Sequence, residues 1–217
     1  MTAVQVAVFY HHPECSIQSA HGVLRALSEW YRVELISVQD LDQGCLSLFD
    51  LLVVPGGIGD SNSYAHILAP RAHMIQHHVQ QGGSYLGICM GAYWAGSHYL
   101  NICDRIEPVQ YIKRPGAEIR RSYSTVCAVD WNNHSHWMYF YDGCCIVNHG
   151  GSHQVIARYR NGDSAAVIQR GVGLIGPHPE SDVYWYQKPY LQPHWHQYQH
   201  SQLLAQFVQQ LLHSGEF

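Results

Sequence analysis

The sequence predicts an α/β fold: a mostly parallel central sheet with helices on both faces, plus an antiparallel β-rich insertion in the second half. Three observations predict it. Short, wholly apolar runs such as Leu51–Val54 read as parallel strands covered on both sides. Over the first hundred residues such runs alternate with helical spacing, in the order strand, helix, strand, strand, helix, strand, helix. From residue 112 to 167 the pattern changes to short β segments broken by turn residues.

Residues 4–10 form the first strand candidate. After His11-His12-Pro13, Ser16 can cap a helix whose apolar positions Val23, Leu24, Leu27 and Trp30 fall at helical spacing. Residues 33–38 alternate as a second strand, and Leu51–Val54 is a third that ends in Pro55-Gly56-Gly57. The spacing predicts a helix over 70–81, stopped by Gly82-Gly83. Ser84–Ile88 is a strand ending at Cys89, and 91–100 reads as helix. The β segments that follow are 124–130, 137–141, 144–147 and Gln154–Tyr159, then an Asn161-Gly162 hairpin turn and 165–169. Val172–Ile175 ends in Gly176-Pro177-His178-Pro179-Glu180. Residues 201–212 close the chain as an amphipathic helix, with Leu203, Leu204, Phe207, Val208 and Leu211 on one face. There is no internal repeat, linker or low-complexity tract, so residues 1–217 are expected to form one domain.

Composition excludes several classes. With 47% hydrophobic residues and a net charge of −4, the chain is not intrinsically disordered. No run approaches the ~18 apolar residues of a membrane span. The densest basic stretches are the dipeptides Lys113-Arg114 and Arg120-Arg121, too little for a phosphate-neutralising face, so no nucleic-acid partner is expected. The first ten residues alternate like a strand and lack the basic region and cleavage site of a signal peptide. Seven cysteines, an odd number with no CxxC pair, do not make a disulfide framework. A cytoplasmic location is the expectation, although export without a cleaved signal would leave the same pattern.

Three strand ends carry chemistry. Gly87-Ile88-Cys89-Met90-Gly91 has the form of a nucleophile elbow with Cys in place of Ser. Its glycines remove side chains that would collide in a sharp strand-to-helix turn, and the helix dipole favours anionic sulfur there. A buried core cysteine beside packing glycines would read the same in isolation. His178 and Glu180, two residues apart in extended chain, point the same way, so the carboxylate can orient the imidazole as a base. The backbone N–H groups of the Gly56-Gly57 turn and of Met90 could bind an oxyanion. In a parallel sheet, neighbouring carboxyl ends meet in one crevice.

With these residues in hand, the chain resembles the class I glutamine amidotransferase-like superfamily. Within it, the sequence is most similar to the biotin-protein ligase N-terminal domain-like family. The likeness rests on Gly87-Ile88-Cys89-Met90-Gly91-Ala92-Tyr93, Pro55-Gly56-Gly57, Val155-Ile156-Ala157-Arg158-Tyr159 and Gly176-Pro177-His178-Pro179-Glu180, in that family's order. The resemblance implies a flavodoxin-like fold, Cys89 as nucleophile, His178 as general base, Glu180 as its orienter, and Gly57 and Met90 as oxyanion donors. It implies a small-molecule amide or acyl substrate, no cofactor, no metal, and a partner protein or second copy as an open possibility. One departure stands out. Glutamine-hydrolysing members carry Gln where this chain has Tyr93, which makes glutamine a doubtful substrate. Two other readings remain open. One is a non-catalytic binding or regulatory module; the other is a chaperone- or glyoxalase-like protein that would set Glu14, rather than His178, beside the sulfur.

The other features are weaker. The 17 histidines outnumber the 12 Lys and Arg, and His11-His12, His77-His78, His134-Ser135-His136 and His194-Trp195-His196 with His200 are the densest clusters. None has a Cys or carboxylate at zinc-site spacing, so they read as solvated polar positions. Cys144-Cys145 reads as two buried thiols. Tyr184, Trp185, Tyr186, Tyr190, Trp195 and Tyr198 read as a cover on the sheet edge or as a wall of the cleft. Asn148-His149-Gly150-Gly151 is a second candidate for the cleft lining.

Overall fold

A computed structural model describes residues 3–214. Eleven strands form one mixed sheet: β1 Gln5–Phe9, β2 Arg32–Ile36, β3 Leu51–Val54, β4 Ser84–Ile88, β5 Ile106–Gln110, β6 Thr125–Trp131, β7 His134–Phe140, β8 Cys144–Asn148, β9 Gln154–Tyr159, β10 Ser164–Gln169 and β11 Val172–Ile175. Six α-helices accompany them: α1 Ile17–Leu27, α2 Val38–Asp42, α3 Ala65–Leu68, α4 Ala72–Gln80, α5 Met90–Trp94 and α6 Gln199–His213. The main path is β2-β1-β3-β4-β11-β10-β9-β6-β7, with β8 pairing β10 and β5 pairing β8 off it. The first five strands of that path are parallel, and every pair beyond β11 is antiparallel. The β-rich second half therefore continues the same sheet.

Side chains that alternate along β1, β3 and β4 feed two cores, one on each face. Val6, Val8, Leu51, Val53, Leu86 and Ile88 pack with Val23 and Leu27 of α1 and with Leu204, Phe207 and Leu211 of α6. Ala7, Phe9, Leu52, Val54 and Tyr85 pack with Ile75 of α4 and Trp94 of α5. The pairing aligns the business ends: Val54 is opposite Gly87, and Ile88 opposite Ile175. The loops after β3, β4 and β11 thus leave the sheet side by side.

Three expectations need correction, and two elements add to the predicted set. The helix expected over 91–100 ends at Trp94, because Glu107 accepts the Ser97 N–H at 3.1 Å and draws that amide out of the helical ladder. Trp30 lies beyond the end of α1 and is 62% exposed, off the buried stripe. β5 is an unexpected strand; its Pro108 is tolerated because β5 pairs with β8 alone. α2 is also unexpected, although Ser37 and Asp40 form a capping box at its start. Histidines are not all solvated: His78, His196 and His200 are buried. Cys144 and Cys145 are both free and fully buried. Among the described residues no helix is long and apolar enough to cross a membrane.

Candidate active site

Cys89 is the first residue past β4, at φ 51°, ψ −106°, a conformation L-residues rarely hold without support from their surroundings. Its N–H donates to Ile175 O at 2.8 Å, and its carbonyl accepts from Ala92 and Tyr93 as α5 begins. The sulfur thus stands at the junction of strand and helix, its S–H directed at Tyr141 O, 3.7 Å away. Gly91 makes the turn possible. A Cβ there would lie under 3.0 Å from the carbonyl oxygen of Val54 in β3.

His178 is 5% exposed and Glu180 fully buried. His178 donates its N–H to Tyr139 O at 2.9 Å, which ties the segment to β7. Its Nδ1 is 2.8 Å from Glu180 Oε1, leaving Nε2 for the sulfur, and Cys89 is within hydrogen-bonding reach of the ring. Burial alone would lower the imidazole, but the Glu180 carboxylate and the Cys89 charge and hydrogen bond outweigh it, pushing His178 up to about 10. The ring is therefore a strong proton acceptor once the thiol gives up its proton.

Ser19, which sequence reasoning missed, joins two parts of the site. Its hydroxyl donates to Glu180 Oε1 at 2.6 Å and accepts the Gly56 N–H at 3.0 Å. Gly56 itself is required by close approach: a Cβ there would sit 2.9 Å from His178 Cε1. Gly57 is bridged to Cys15 through its neighbours, Ser16 N–H to Gly56 O and Ile58 N–H to Glu14 O. In that pattern Gly57's own N–H points away from Cys15.

A cavity of about 900 Å³ opens over these groups, lined by Gly56, Gly57, Cys89, Met90, Tyr93 and His178 among others. All seven predicted site residues converge here, with Glu180 behind His178. Tyr93 is half-buried, its hydroxyl 3.3 Å from Asp142 O, and burial pushes its phenol well above the ordinary value, so it is a neutral donor. Of the aromatic stretch, Tyr184 and Trp185 line the cavity, and Trp185 meets His178 edge-on at 5.1 Å. Tyr186 is buried against Tyr139 as part of the cover, so both readings of that stretch hold in part. Asn148-His149-Gly150-Gly151 does not line the cavity; Asn148 Oδ1 accepts the N–H groups of Gly150 and Gly151 in a closed turn. Glu14 is engaged by His66 Nε2 at 3.0 Å and His11 Nε2 at 3.6 Å, while the ring in reach of the sulfur is His178.

Behind the His178–Glu180 segment lies a histidine cluster. His196 and His200 stack at 3.8 Å, His136 meets His200 edge-on at 5.4 Å, and Ser181 bonds His196 at 3.3 Å. Among the described residues no group of three or more His, Cys, Asp or Glu is arranged to hold a metal ion. Burial, then the Arg25 charge, lowers His196 to about 4; burial, then His196 and His136, lowers His200 to about 2. Unfolded, both titrate near 6.5. The unfolded chain takes up protons first, so their contribution is complete above about pH 6.5 and is lost as pH falls toward 4 and below. His178 has the opposite sign: its contribution is complete below 6.5 and is lost as pH rises through about 10. We expect Tm to fall on the acid side of neutrality, and His200→Phe to flatten that limb in scanning calorimetry. An unchanged acid limb would assign the proton uptake elsewhere.

The fold is that of the glutamine amidotransferase class. A solved structure described as a glutamine amidotransferase aligns over 96% of this chain and 98% of its own, with TM-score 0.65 and 16% identity. A glutamine amidotransferase of Thermotoga maritima aligns over 98% and 99%, with TM-score 0.66 and 10% identity. More particularly, residues 6–103 match the family described as "Biotin-protein ligase, N terminal", the one the elbow and turn motifs resemble. An uncharacterized protein of Chlamydia muridarum is 44% identical over 50 residues, a segment spanning 23% of this chain and 18% of that protein.

Proposed function

We propose that the protein is a cysteine-nucleophile hydrolase of the amidotransferase type, acting on a carboxamide or related acyl group. The observation that carries the reading is the continuous line from the Cys89 sulfur through the His178 imidazole to the buried Glu180 carboxylate, opening onto the cavity. His178 takes the thiol proton at Nε2, and the sulfur attacks the acyl carbon. The N–H groups of Gly57 and Met90 stabilise the oxyanion that forms. Collapse passes the proton from His178 to the departing amine and leaves a thioester on Cys89. Water, deprotonated by His178, then cleaves the thioester to acid and free thiol. Tyr93 in place of Gln supports a substrate other than glutamine. A partner protein or second copy, and a cytoplasmic setting, remain part of the proposal.

Intact-mass measurement after incubation with glutamine and a panel of small amides and esters tests it. The expected result is an acyl adduct on Cys89 from at least one amide or ester other than glutamine. No adduct across the panel would favour a non-catalytic binding module.

Ser19 has its own test as a positioning residue. A hydrogen bond to a charged group contributes about 1.5–3 kcal/mol, so Ser19→Ala is expected to lower kcat roughly ten- to a hundredfold with KM little changed. Ser19→Thr, which keeps the hydroxyl, should recover most of the rate. Lost thermal stability with kcat intact would reduce Ser19 to a packing role.

A further inference from the structure

The wall of the cavity beside the elbow carries a carboxylate with no ion-pair partner among the described residues. Asp142 follows Tyr141, whose carbonyl accepts the Cys89 S–H, so it stands one residue from the nucleophile's own partner. Its side chain is held in place by neutral donors alone. Ser122 Oγ donates at 2.8 Å, and Gln110 Nε2 lies 3.1 and 3.3 Å from the two oxygens. Asp142, Ser122 and Gln110 all line the cavity, and among the described residues no Lys, Arg or His forms an ion pair with Asp142. Elsewhere in the chain two partly buried aspartates have an arginine: Asp163 with Arg114, and Asp182 with Arg25.

A half-buried carboxylate held by a built shell of neutral donors is a receptor for a cation. The surrounding walls suit the same charge. Tyr139, Tyr141 and Tyr184 line the cavity, and aromatic faces attract ammonium groups. Of the lining's basic groups, His178 is paired with Glu180, and the Nζ of Lys188 is drawn to the Tyr190 ring, 5.9 Å from the centroid, a residue outside the lining. Asp60, also in the lining, adds a second negative charge. The lining contains no arginine that could clamp a substrate carboxylate by two parallel hydrogen bonds.

We infer that the substrate is a carboxamide bearing a primary ammonium group without an adjacent carboxylate, and that the ammonium docks on Asp142. The inference rests on the Cys89 reading for the position of the carboxamide, and on Asp142 for the rest. Glutamine fits poorly on this account, because its α-carboxylate would travel with the ammonium toward Asp142. Tyr93, which holds the Asp142 carbonyl with its hydroxyl, then has a purpose beyond filling the site of the missing Gln: it fixes the loop that presents the carboxylate.

Four probes of similar size separate the charges: 5-aminopentanamide, glutamine, pentanamide and 4-carbamoylbutanoate. Binding to the full-length Cys89→Ala protein, which cannot react, is measured by titration calorimetry. 5-Aminopentanamide is expected to bind at least tenfold tighter than each of the other three, and the margin should shrink between 50 and 500 mM salt, roughly as screening of a charge pair requires. Adding Asp142→Asn should bring its affinity within about twofold of pentanamide. Should that variant fail to fold, the salt dependence of the parent protein stands as the second measurement. Equal or tighter binding of pentanamide or 4-carbamoylbutanoate, no binding of 5-aminopentanamide, or a preference that survives Asp142→Asn would each overturn the inference. Thioester formation in the wild type is scored separately. A cation preference in binding with no Cys89 adduct sinks the hydrolase and leaves the docking site; an adduct with no cation preference does the reverse.

Discussion

Cys89→Ala is expected to abolish turnover, by roughly four orders of magnitude or more, while leaving the fold and the cavity in place. Removing the nucleophile from a coupled set disables the whole set, so the loss resembles that of all its members together. Apart from its contact with the His178 ring, the sulfur makes a weak hydrogen bond to Tyr141 O at 3.7 Å, so its removal should cost little stability. The measurement is amide or ester hydrolysis by wild type and variant, with thermal melting as the control. Activity retained in the variant would rule out the mechanism. A companion result is expected from iodoacetamide at neutral pH: Cys89 should label first of the seven thiols. Cys15, Cys127, Cys144 and Cys145 are fully buried, and burial pushes the Cys103 thiol up to about 12. Cys89, by contrast, lines the cavity beside an imidazole that can accept its proton.

The second large effect is on stability. Gly91→Ala places a methyl group under 3.0 Å from both the carbonyl oxygen and the carbonyl carbon of Val54. Those atoms belong to β3, which is hydrogen-bonded on both sides and buried on both faces, so they cannot move cheaply. Overpacking of rigid backbone costs about 1–3 kcal/mol and occasionally more, and Gly91→Ala is expected at or above the top of that range. Denaturant unfolding reads it as a lowered midpoint. The damage should extend to the proposed catalysis, because Val54 leads directly into Pro55-Gly56-Gly57: shifting β3 displaces the turn proposed to bind the oxyanion. A variant within about 0.5 kcal/mol of wild type would mean that the elbow yields where its geometry says it cannot.

The parts of the site that were legible in the sequence are those whose signal is local. The elbow glycines flank Cys89 at fixed offsets because a sharp strand-to-helix turn needs space at those offsets. His178 and Glu180 share a side because residues two apart in extended chain do so anywhere. Leu51–Val54 is apolar throughout because both faces of a central strand are covered. Ser19 carried no such signal. A serine in the first turn of a helix reads as part of a cap, and its partner Glu180 lies 161 positions away. The buried His196–His200 pair was misread for the same reason. Histidines scattered among Gln, Tyr and Pro look solvated until tertiary contacts bring Ser181 to His196 and His136 of β7 to His200. Pro108 hid β5, since a proline rules out a central strand and only the topology reveals that β5 has one neighbour. Asp142 belongs with these: its significance lies in what does not pair with it.

The sheet order divides the residues of the cavity along the chain. Cys89, the oxyanion turn and the His178–Glu180 pair all issue from the parallel strands β3, β4 and β11, whereas Gln110, Ser122, Tyr139, Tyr141 and Asp142 belong to the antiparallel wing between residues 106 and 169. That wing leaves and rejoins the parallel half beside the nucleophile without supplying any of the reacting groups. On the proposed mechanism, exchanging it for the corresponding stretch of another protein of this fold is a way to change the molecule that is chosen while keeping the groups assigned to the chemical step. Substrate range and chemical step can drift independently in such an architecture, and a library confined to the wing would search the first without risking the second.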